Sequence, residues 1–308
     1  MINIISTALI PTVWPFTTYG GIERIAADLA HEYAKQFTIV LVGAKGSSVP
    51  RCEVIEVSNE DDMAKLRLDG ITIDFSHFKK YPGPKVSVPM FSDAKGDGAV
   101  ASSQVLAEHF GLEHIISPGI DISPYHVGST EDYYLSLSRI ANFKQIHYAI
   151  SIASMLNVNL KIAGKEEFDR KYVESIKDEA KKHPNIEYVG EVEEKEKIEL
   201  LAHSRGLIFV PNWKLIYRDG FESFGIVAIE ALASGIPVFT NDIPGGQWDT
   251  IKKERGVNGL ILSDNQWPDV LTFETQRETI RDRAEYWSSL KYTHRLNGYL
   301  SEMGLWPS

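Results

Sequence analysis

Apolar and polar positions along the 308-residue chain fall into a strand–helix alternation that runs through twice. Ile2-Asn3-Ile4-Ile5 makes a first short apolar strand, followed by a loop rich in Pro, Thr and Gly. Ile22, Ile25, Ala26, Leu29 and Tyr33 then recur at helical spacing with polar residues between them. Further strands are predicted at 37–43, 52–57, 71–77, 85–91 and 114–118. Several show little polar alternation, the pattern of parallel strands covered on both faces. A polar stretch from Pro124 to Asp132 interrupts the series. It restarts with strands predicted at 133–138, 159–163, 186–190, 206–211 and 237–240, and with helices at 143–156 and 193–202. The segment from Arg277 to Leu300 reads as one amphipathic helix with no strand after it. Two βα blocks of comparable length, joined by a linker, predict an α/β protein of two Rossmann-like domains facing each other across a cleft.

Composition narrows the class. A chain of 308 residues exceeds the ~250–300 residues at which a single core stops growing, and 43% apolar with 24% charged residues is globular composition. The balance of 32 Lys+Arg against 42 Asp+Glu leaves −10, which argues against a sequence-blind nucleic-acid binder. Cys52 stands alone, so neither an internal disulfide nor a cysteine metal cluster is available. No apolar run approaches the ~18 residues of a membrane span, and the start lacks the basic character of a signal peptide. The expectation is a soluble, cytoplasmic protein.

Three features look like chemistry without carrying it. Gly96-Asp97-Gly98-Ala99-Val100-Ala101 fits a loose dinucleotide fingerprint, but no strand directly precedes it and Ser102 or Ser103 can cap a following helix. The charged run 191–197 is expected to be a solvated helix face. Nine histidines without helical i,i+4 pairing make no zinc site, and no Asp-x-Asp is present to clamp a metal on a nucleotide.

The chemistry concentrates between Asp219 and Val238, DGFESFGIVAIEALASGIPV. A loop carrying Glu222 runs into a mostly apolar helix that carries Glu230 among Ile226, Val227, Ile229, Leu232 and Ala233. A carboxylate placed so deeply costs several kcal/mol unless it finds donors, and ribose hydroxyls are suitable ones. Taken singly, Glu230 would be assigned to a structural Arg or Lys and Glu222 to a surface loop. Two glutamates eight positions apart around a Phe-Gly helix start are less common by chance. The amides of Phe224, Gly225 and Ile226 stand at that helix N-terminus, where anions bind readily.

The segment resembles the E-x7-E motif of retaining GT-B glycosyltransferases, specifically family 4, and further landmarks follow in that family's order. Tyr19-Gly20-Gly21 is similar to its glycine-rich loop, His77 to its donor-sugar histidine, and Ser117-Pro118-Gly119-Ile120-Asp121 to its P-N-G-I/V-D. Leu135-Ser136-Leu137-Ser138-Arg139 with Lys144 resembles its diphosphate-gripping G-R-x-x-x-x-K. The strand ends at Gly164 and Gly190 are similar to those lining its nucleotide pocket. Ser138, Gln145 and Pro118 depart from the pattern, and Pro244-Gly245-Gly246-Gln247 lacks the glutamate often found after that turn.

The resemblance implies a GT-B fold with residues 1–124 on the acceptor side, 125–280 on the donor side, and 281–308 returning as a helical segment to the first domain. It implies retaining transfer of a sugar from a UDP- or GDP-sugar to a hydroxyl acceptor that is a saccharide, a lipid-linked molecule or a small molecule. No cofactor and no metal are expected. Arg139 and Lys144 would stabilise the leaving diphosphate, and Glu222 with the amides after Ser223 would hold the donor sugar. Glu230 would bind the ribose diol, His77 would contact the sugar, and Gly20 and Gly21 would leave room beside the diphosphate. Two other readings keep the fold: a GT-B-type nucleotide-sugar epimerase, for which no further carboxylate set is assignable, and a non-catalytic sugar-nucleotide-binding protein. Phe78-Lys79-Lys80-Tyr81 with Lys85 is compatible with weak peripheral membrane contact, although such a patch is more often a solvated loop. Trp14 and Trp213 suit either sugar stacking or packing. Oligomeric state is not readable from the chain.

Overall fold

The computed structural model describes residues 1–16, 20–76, 80–88, 98–166, 169–212, 222–252 and 256–306. It divides into two units, Met1–Asp121 with Tyr286–Ser308, and Ile122–Glu285. The sequence reading had set these divisions at 124/125 and 280/281.

In the first unit β1 (Ile2–Ile5), β2 (Ile39–Ala44), β3 (Cys52–Val57), β4 (Ile71–Asp74) and β5 (Val86–Ser87) form one sheet in the order β3-β2-β1-β4-β5. Every pairing is parallel; Ile4 lies against Leu41 on one side and Ile73 on the other. β1 and β2 are buried along their whole length, which is why their sequences run apolar without alternation. Helix α1 (Gly21–Tyr33) buries Ile22, Ile25, Leu29 and Tyr33, the stripe expected from spacing. After α2 (Glu60–Met63) and α3 (Gln104–Phe110), the remaining elements up to residue 285 belong to the second unit. Ser103 caps α3 by accepting from the Leu106 amide; in the fingerprint-like stretch Gly98 is a turn residue, Ala99 and Ala101 make isolated bridges to Ser87 and Ile115, and Gly96 and Asp97 lie outside the described residues.

The second sheet contains β6 (Tyr134–Leu137), β7 (Leu160–Ala163), β8 (Ile186–Gly190), β9 (Leu207–Ile208), β10 (Val238–Asn241) and β11 (Gly259–Leu262), in the order β11-β10-β9-β6-β7-β8 and again parallel. The helices of this unit are α4 (Ile146–Leu156), α5 (Arg170–Ala180), α6 (Glu194–His203), α7 (Ile226–Ala233), α8 (Gln247–Lys252) and α9 (Arg277–Ala284). Ile150, Ile162, Val173, Ile208, Phe239 and Trp267 are central members of its core.

Strand order locates the functional edge of each sheet. The chain runs outward from β6 through β7 to β8, then returns to place β9 on the other side of β6. In the first unit β1 is flanked in the same way by β2 and β4. Open parallel sheets bind ligands beyond the carboxyl ends of the strands at such a reversal.

The structure corrects several expectations, among them the strand expected at 206–211, of which only Leu207–Ile208 is strand. Segment 114–118 is no strand: it makes one isolated bridge, Ala101 to Ile115, because its partner segment ends at the Ser102-Ser103 cap of α3. β11 was not anticipated. The helix expected at 143–156 begins only at Ile146, after a 3-10 turn over Asn142–Lys144 and a left-handed Gln145 (φ 50, ψ 46). The long terminal helix is two helices, α9 and α10 (Ser289–Glu302), broken where Ser288 turns extended and caps α10 through the Lys291 amide. α10 packs on α1 within the first unit, with the Tyr33 hydroxyl donating to Asn297 over 2.7 Å. Its start is fixed by the 117–121 segment: the Ile120 amide donates to Trp287 O (3.0 Å) and Ser289 donates back to Ile120 O (2.8 Å).

Candidate functional site

Past the carboxyl end of β6 the backbone is knitted to its neighbours. Ser138 N donates to Ala163 O (3.2 Å), Ile140 N to Lys165 O (2.9 Å), and Gly164 N to Gly190 O (2.8 Å). A Cβ on Gly164, at φ +150, would lie 1.6 Å from the Ser138 carbonyl oxygen, so only glycine permits this approach. Arg139 stands between Ser138 and Ile140, half-buried, two residues past the end of β6. Lys144 closes the following 3-10 turn. Beside Gly190, Glu166 accepts from Lys177 and Tyr188, each over 2.9 Å, and these bonds, Lys177 first, hold its carboxyl below the usual range.

β9, the other strand at the reversal, leads into Phe209-Val210-Pro211-Asn212, and Asn212 N donates to Phe143 O (2.7 Å). This brings the two crossovers together. The Lys144 ammonium lies 5.2 Å from the centre of the Phe209 ring and 5.8 Å from that of Phe143. It forms an ion pair with Glu222 in which both side chains are only 11% exposed. Lys144 and Glu222, separated by 78 positions, were assigned to one site from motif order alone, and the fold puts them in contact. Ser223 and Phe224 are buried. The loop is braced from behind, since Gly246 N donates to Glu222 O over 2.6 Å. Gly225 starts α7 in the left-handed region (φ 80, ψ 65) and Ile226 is its first helical residue. Phe209 and Gln247 would crowd any side chain at Gly225.

In α7, Ala228, Ile229, Ala231, Leu232 and Ala233 are fully buried and Glu230 is 6% exposed. Its carboxylate meets protein donors: Tyr125 Oη at 2.9 Å and Lys197 Nζ at 2.7 Å, both on Oε1. Lys197 also pairs with Glu194 at 2.7 Å. The charged run 191–197 is therefore more than a solvated face: Lys197, 15% exposed, turns inward because the buried Glu230 needs a cation. Tyr125 and Lys197 were missed in sequence. The available signal was helical phase, as Glu194, Lys197 and the buried Leu201 share one side of α6.

The first unit presents its own residues past β1 and β4. Gly20 precedes α1 and its carbonyl accepts from the Arg24 amide (3.1 Å). The buried Glu23 carboxylate, which accepts from the Thr7 hydroxyl, lies beside Gly20, while Gly21 is exposed. Asp74 at the end of β4 is fully buried and holds Lys85 Nζ (2.8 Å), Ser76 Oγ (2.6 Å) and Ser76 N (2.9 Å). His77 and Tyr19 lie outside the described residues, as does Trp213. Trp14 packs rather than waits: its ring stacks on His31 at 3.4 Å and 4°. The basic-aromatic patch is dispersed, with Tyr81 buried, Lys85 on Asp74 and Lys80 on Asp61 (2.6 Å), and Phe78 and Lys79 outside the described residues. Among the described residues no three His, Cys, Asp or Glu side chains gather as a metal site, and no helix is long and apolar enough to cross a membrane.

Two parallel-sheet Rossmann-like units, with the terminal helix α10 belonging to the first, make this a GT-B fold. Residues 122–272, most of the second unit, match the family described as Glycosyl transferases group 1. The structure is similar to AviGT4, a glycosyltransferase involved in avilamycin A biosynthesis, with a TM-score of 0.82, 18% identity and coverage of 98% of this chain and 97% of that one. It is similar to Alr3699/HepE of Anabaena in complex with UDP and glucose (TM-score 0.73, 15% identity, 97% and 99% coverage). It is also similar to WaaG, a glycosyltransferase involved in lipopolysaccharide biosynthesis (TM-score 0.63, 15% identity, 96% and 95% coverage). No curated protein sequence matches the chain.

Proposed function

We propose that the protein is a retaining glycosyltransferase of the family 4 kind, moving a sugar from a nucleoside-diphosphate sugar to a hydroxyl acceptor without a metal. One observation carries the reading. Lys144 and Glu222 meet past the β6/β9 reversal, next to the α7 N-terminus, inside the segment that matches the glycosyltransferase family. UDP-sugars are the first donors to try, since the similar HepE has been captured with UDP and glucose and with UDP-glucose.

The difficult step is departure of a charged nucleoside diphosphate. Arg139 can grip a phosphate in bidentate fashion and Lys144 supplies a compact charge, so the developing negative charge meets fixed cations. Glu222, with the amides after Ser223, holds donor-sugar hydroxyls, and Glu230 accepts from the ribose diol. Gly20, Gly21 and His77 keep the assignments that resemblance gives them. The bond from the anomeric carbon to the phosphate oxygen breaks and a bond to the acceptor oxygen forms on the same face. The acceptor proton passes to the departing phosphate oxygen, so no enzyme nucleophile is needed.

A thermal-shift screen of UDP, GDP and their sugars tests the binding half: a ligand at 100 times its Kd stabilises by about 2.7 kcal/mol. Transfer from the binding donor to an acceptor panel, with the anomeric configuration read by NMR, tests the chemistry. Arg139→Ala is expected to slow transfer far more than it weakens donor binding. An inverted product sinks the retaining mechanism; a donor isomerised without acceptor points to an epimerase; no melting shift with any nucleotide removes the reading.

A further inference from the structure

The contacts around Glu230 extend the site beyond the residues assigned so far. We propose that Lys197 and Tyr125 are positioning residues for nucleotide binding, holding the Glu230 carboxylate charged and oriented toward the ribose diol. The proposal rests on the reading of Glu230 as the ribose-binding carboxylate.

Glu230 is the one polar residue of α7, whose other residues are all apolar, and only 6% of it is exposed. Left alone there, a carboxylate would take up a proton or turn toward solvent. Two donors from separate segments prevent both outcomes. Tyr125, 3% exposed, comes from the chain just after the start of the second unit, and Lys197 from the first half of α6. Both bond the same oxygen, Oε1, at 2.9 and 2.7 Å, which fixes the rotation of the carboxylate as well as its charge. Lys197 is itself located by Glu194 at 2.7 Å and lies 5.9 Å from the centre of the Tyr125 ring. The Tyr125 hydroxyl also lies 3.4 Å from Glu194 Oε1, so both donors sit between the two glutamates, with the shorter Tyr125 contact made to Glu230. A hydroxyl donating to an ionised, immobile acceptor makes a bond roughly twice as strong as one donating to a neutral acceptor. A purely structural ion pair would need no particular orientation toward a ligand, and this difference makes the two roles separable.

The test is calorimetric titration of the full chain and its Lys197→Met, Lys197→Arg and Tyr125→Phe variants. The probes are UDP, GDP, their 2′-deoxy counterparts and inorganic pyrophosphate. The wild type is expected to favour the ribonucleotide by about ten-fold, the scale of one charge-assisted hydrogen bond. Lys197→Met is expected to narrow that preference to about two-fold and Tyr125→Phe to about three-fold, with pyrophosphate affinity unchanged and Lys197→Arg restoring most of the preference. If Lys197→Met keeps the full ribose preference while losing stability, the pair is only structural and the proposal fails, with the ribose role of Glu230 still standing. Weakened pyrophosphate binding in Lys197→Met would mean that Lys197 contacts phosphate, which also overturns it. A wild type indifferent to the 2′-hydroxyl removes the ribose reading and this proposal together. Should Lys197→Met not fold, Tyr125→Phe decides, and an unchanged preference in that variant overturns the proposal.

Discussion

Gly164→Ala tests whether the knitted strand ends hold Arg139 in place. The added Cβ would lie 1.6 Å from the Ser138 carbonyl oxygen and 2.6 Å from its carbon, where real Cβ contacts stay above 3.0 Å. Both are backbone atoms, so relief requires β6 and β7 to part at their carboxyl ends. The φ of +150 adds a second penalty independent of space. Strain of that kind costs roughly 1–3 kcal/mol and forced overpacking roughly another 1–3 kcal/mol, which centres the loss at about 4 kcal/mol. The unit from Ile122 to Glu285 spans 164 residues. At that size each kcal/mol lowers the melting midpoint by roughly 2–4 °C, giving a fall of roughly 8–16 °C. Gly256→Ala is the control: its φ is +82 but no atom lies within 4 Å of an added Cβ. It pays for conformation alone, about 1 kcal/mol or about 3 °C. Fluorescence-monitored melts of the two variants decide the matter, and transfer rates follow, because Arg139 sits between the displaced Ser138 and the Ile140 amide anchored on Lys165. If Gly164→Ala melts within a few degrees of Gly256→Ala, the close approach does not govern this edge of the sheet.

Lys144→Met and Glu222→Gln are each expected to destabilise by roughly 2–4 kcal/mol, since each removes the opposite charge from a group only 11% exposed. Denaturant titration of the singles and the double should give a coupling of roughly 1–3 kcal/mol; additive losses would refute direct pairing. Burial first, then Lys35, lowers the His31 value below 6.5 in the folded chain, so below about pH 6.5 the unfolded state binds the extra proton and stability falls with pH. The urea-midpoint difference between wild type and His31→Gln should therefore shift against the wild type as pH drops from 7.5 to about 5.5, and a flat difference would contradict this. Gln145→Val, at φ 50, should lose roughly 1–2 kcal/mol in the same titration, because a β-branched side chain suits the left-handed region poorly. An unchanged midpoint would show that the turn after Lys144 adapts.

The fold was most legible where short β-forming runs stand between turn residues. β1, β3 and β8 were located to the residue: β1 is a wholly buried run, while β3 and β8 are edge strands that expose glutamates between apolar residues and are bounded by Pro, Asn, Ser or Gly. β11 escaped notice: Gly259-Leu260-Ile261-Leu262 is four residues long, and its two central side chains are only partly buried. The break at Ser288 escaped because both flanking segments keep helical periodicity, and what ends the first is pairing of Ser289 with Ile120, a contact more than 160 positions away in sequence. At Gln145 the departure from the family's glycine was visible, but its meaning came only with the left-handed backbone there.

Legibility of the site divides along the same line between local and distant. Glu222, the Phe224-Gly225 start and Glu230 lie within one loop and one helix, so eight-residue spacing plus apolar surroundings is enough to single them out. Tyr125 and Lys197 lie 105 and 33 positions from the carboxylate they serve, and no short pattern links them to it. What the chain does state is a demand: a glutamate inside an apolar helix must be met by donors. It also states one supply, since Lys197 precedes the buried Leu201 by four residues and so faces inward on α6. Demand and supply can be read separately from sequence. Joining them takes the strand reversal that returns the chain from β8 to β9, because that return sets α6 against α7 and brings the lysine to the glutamate.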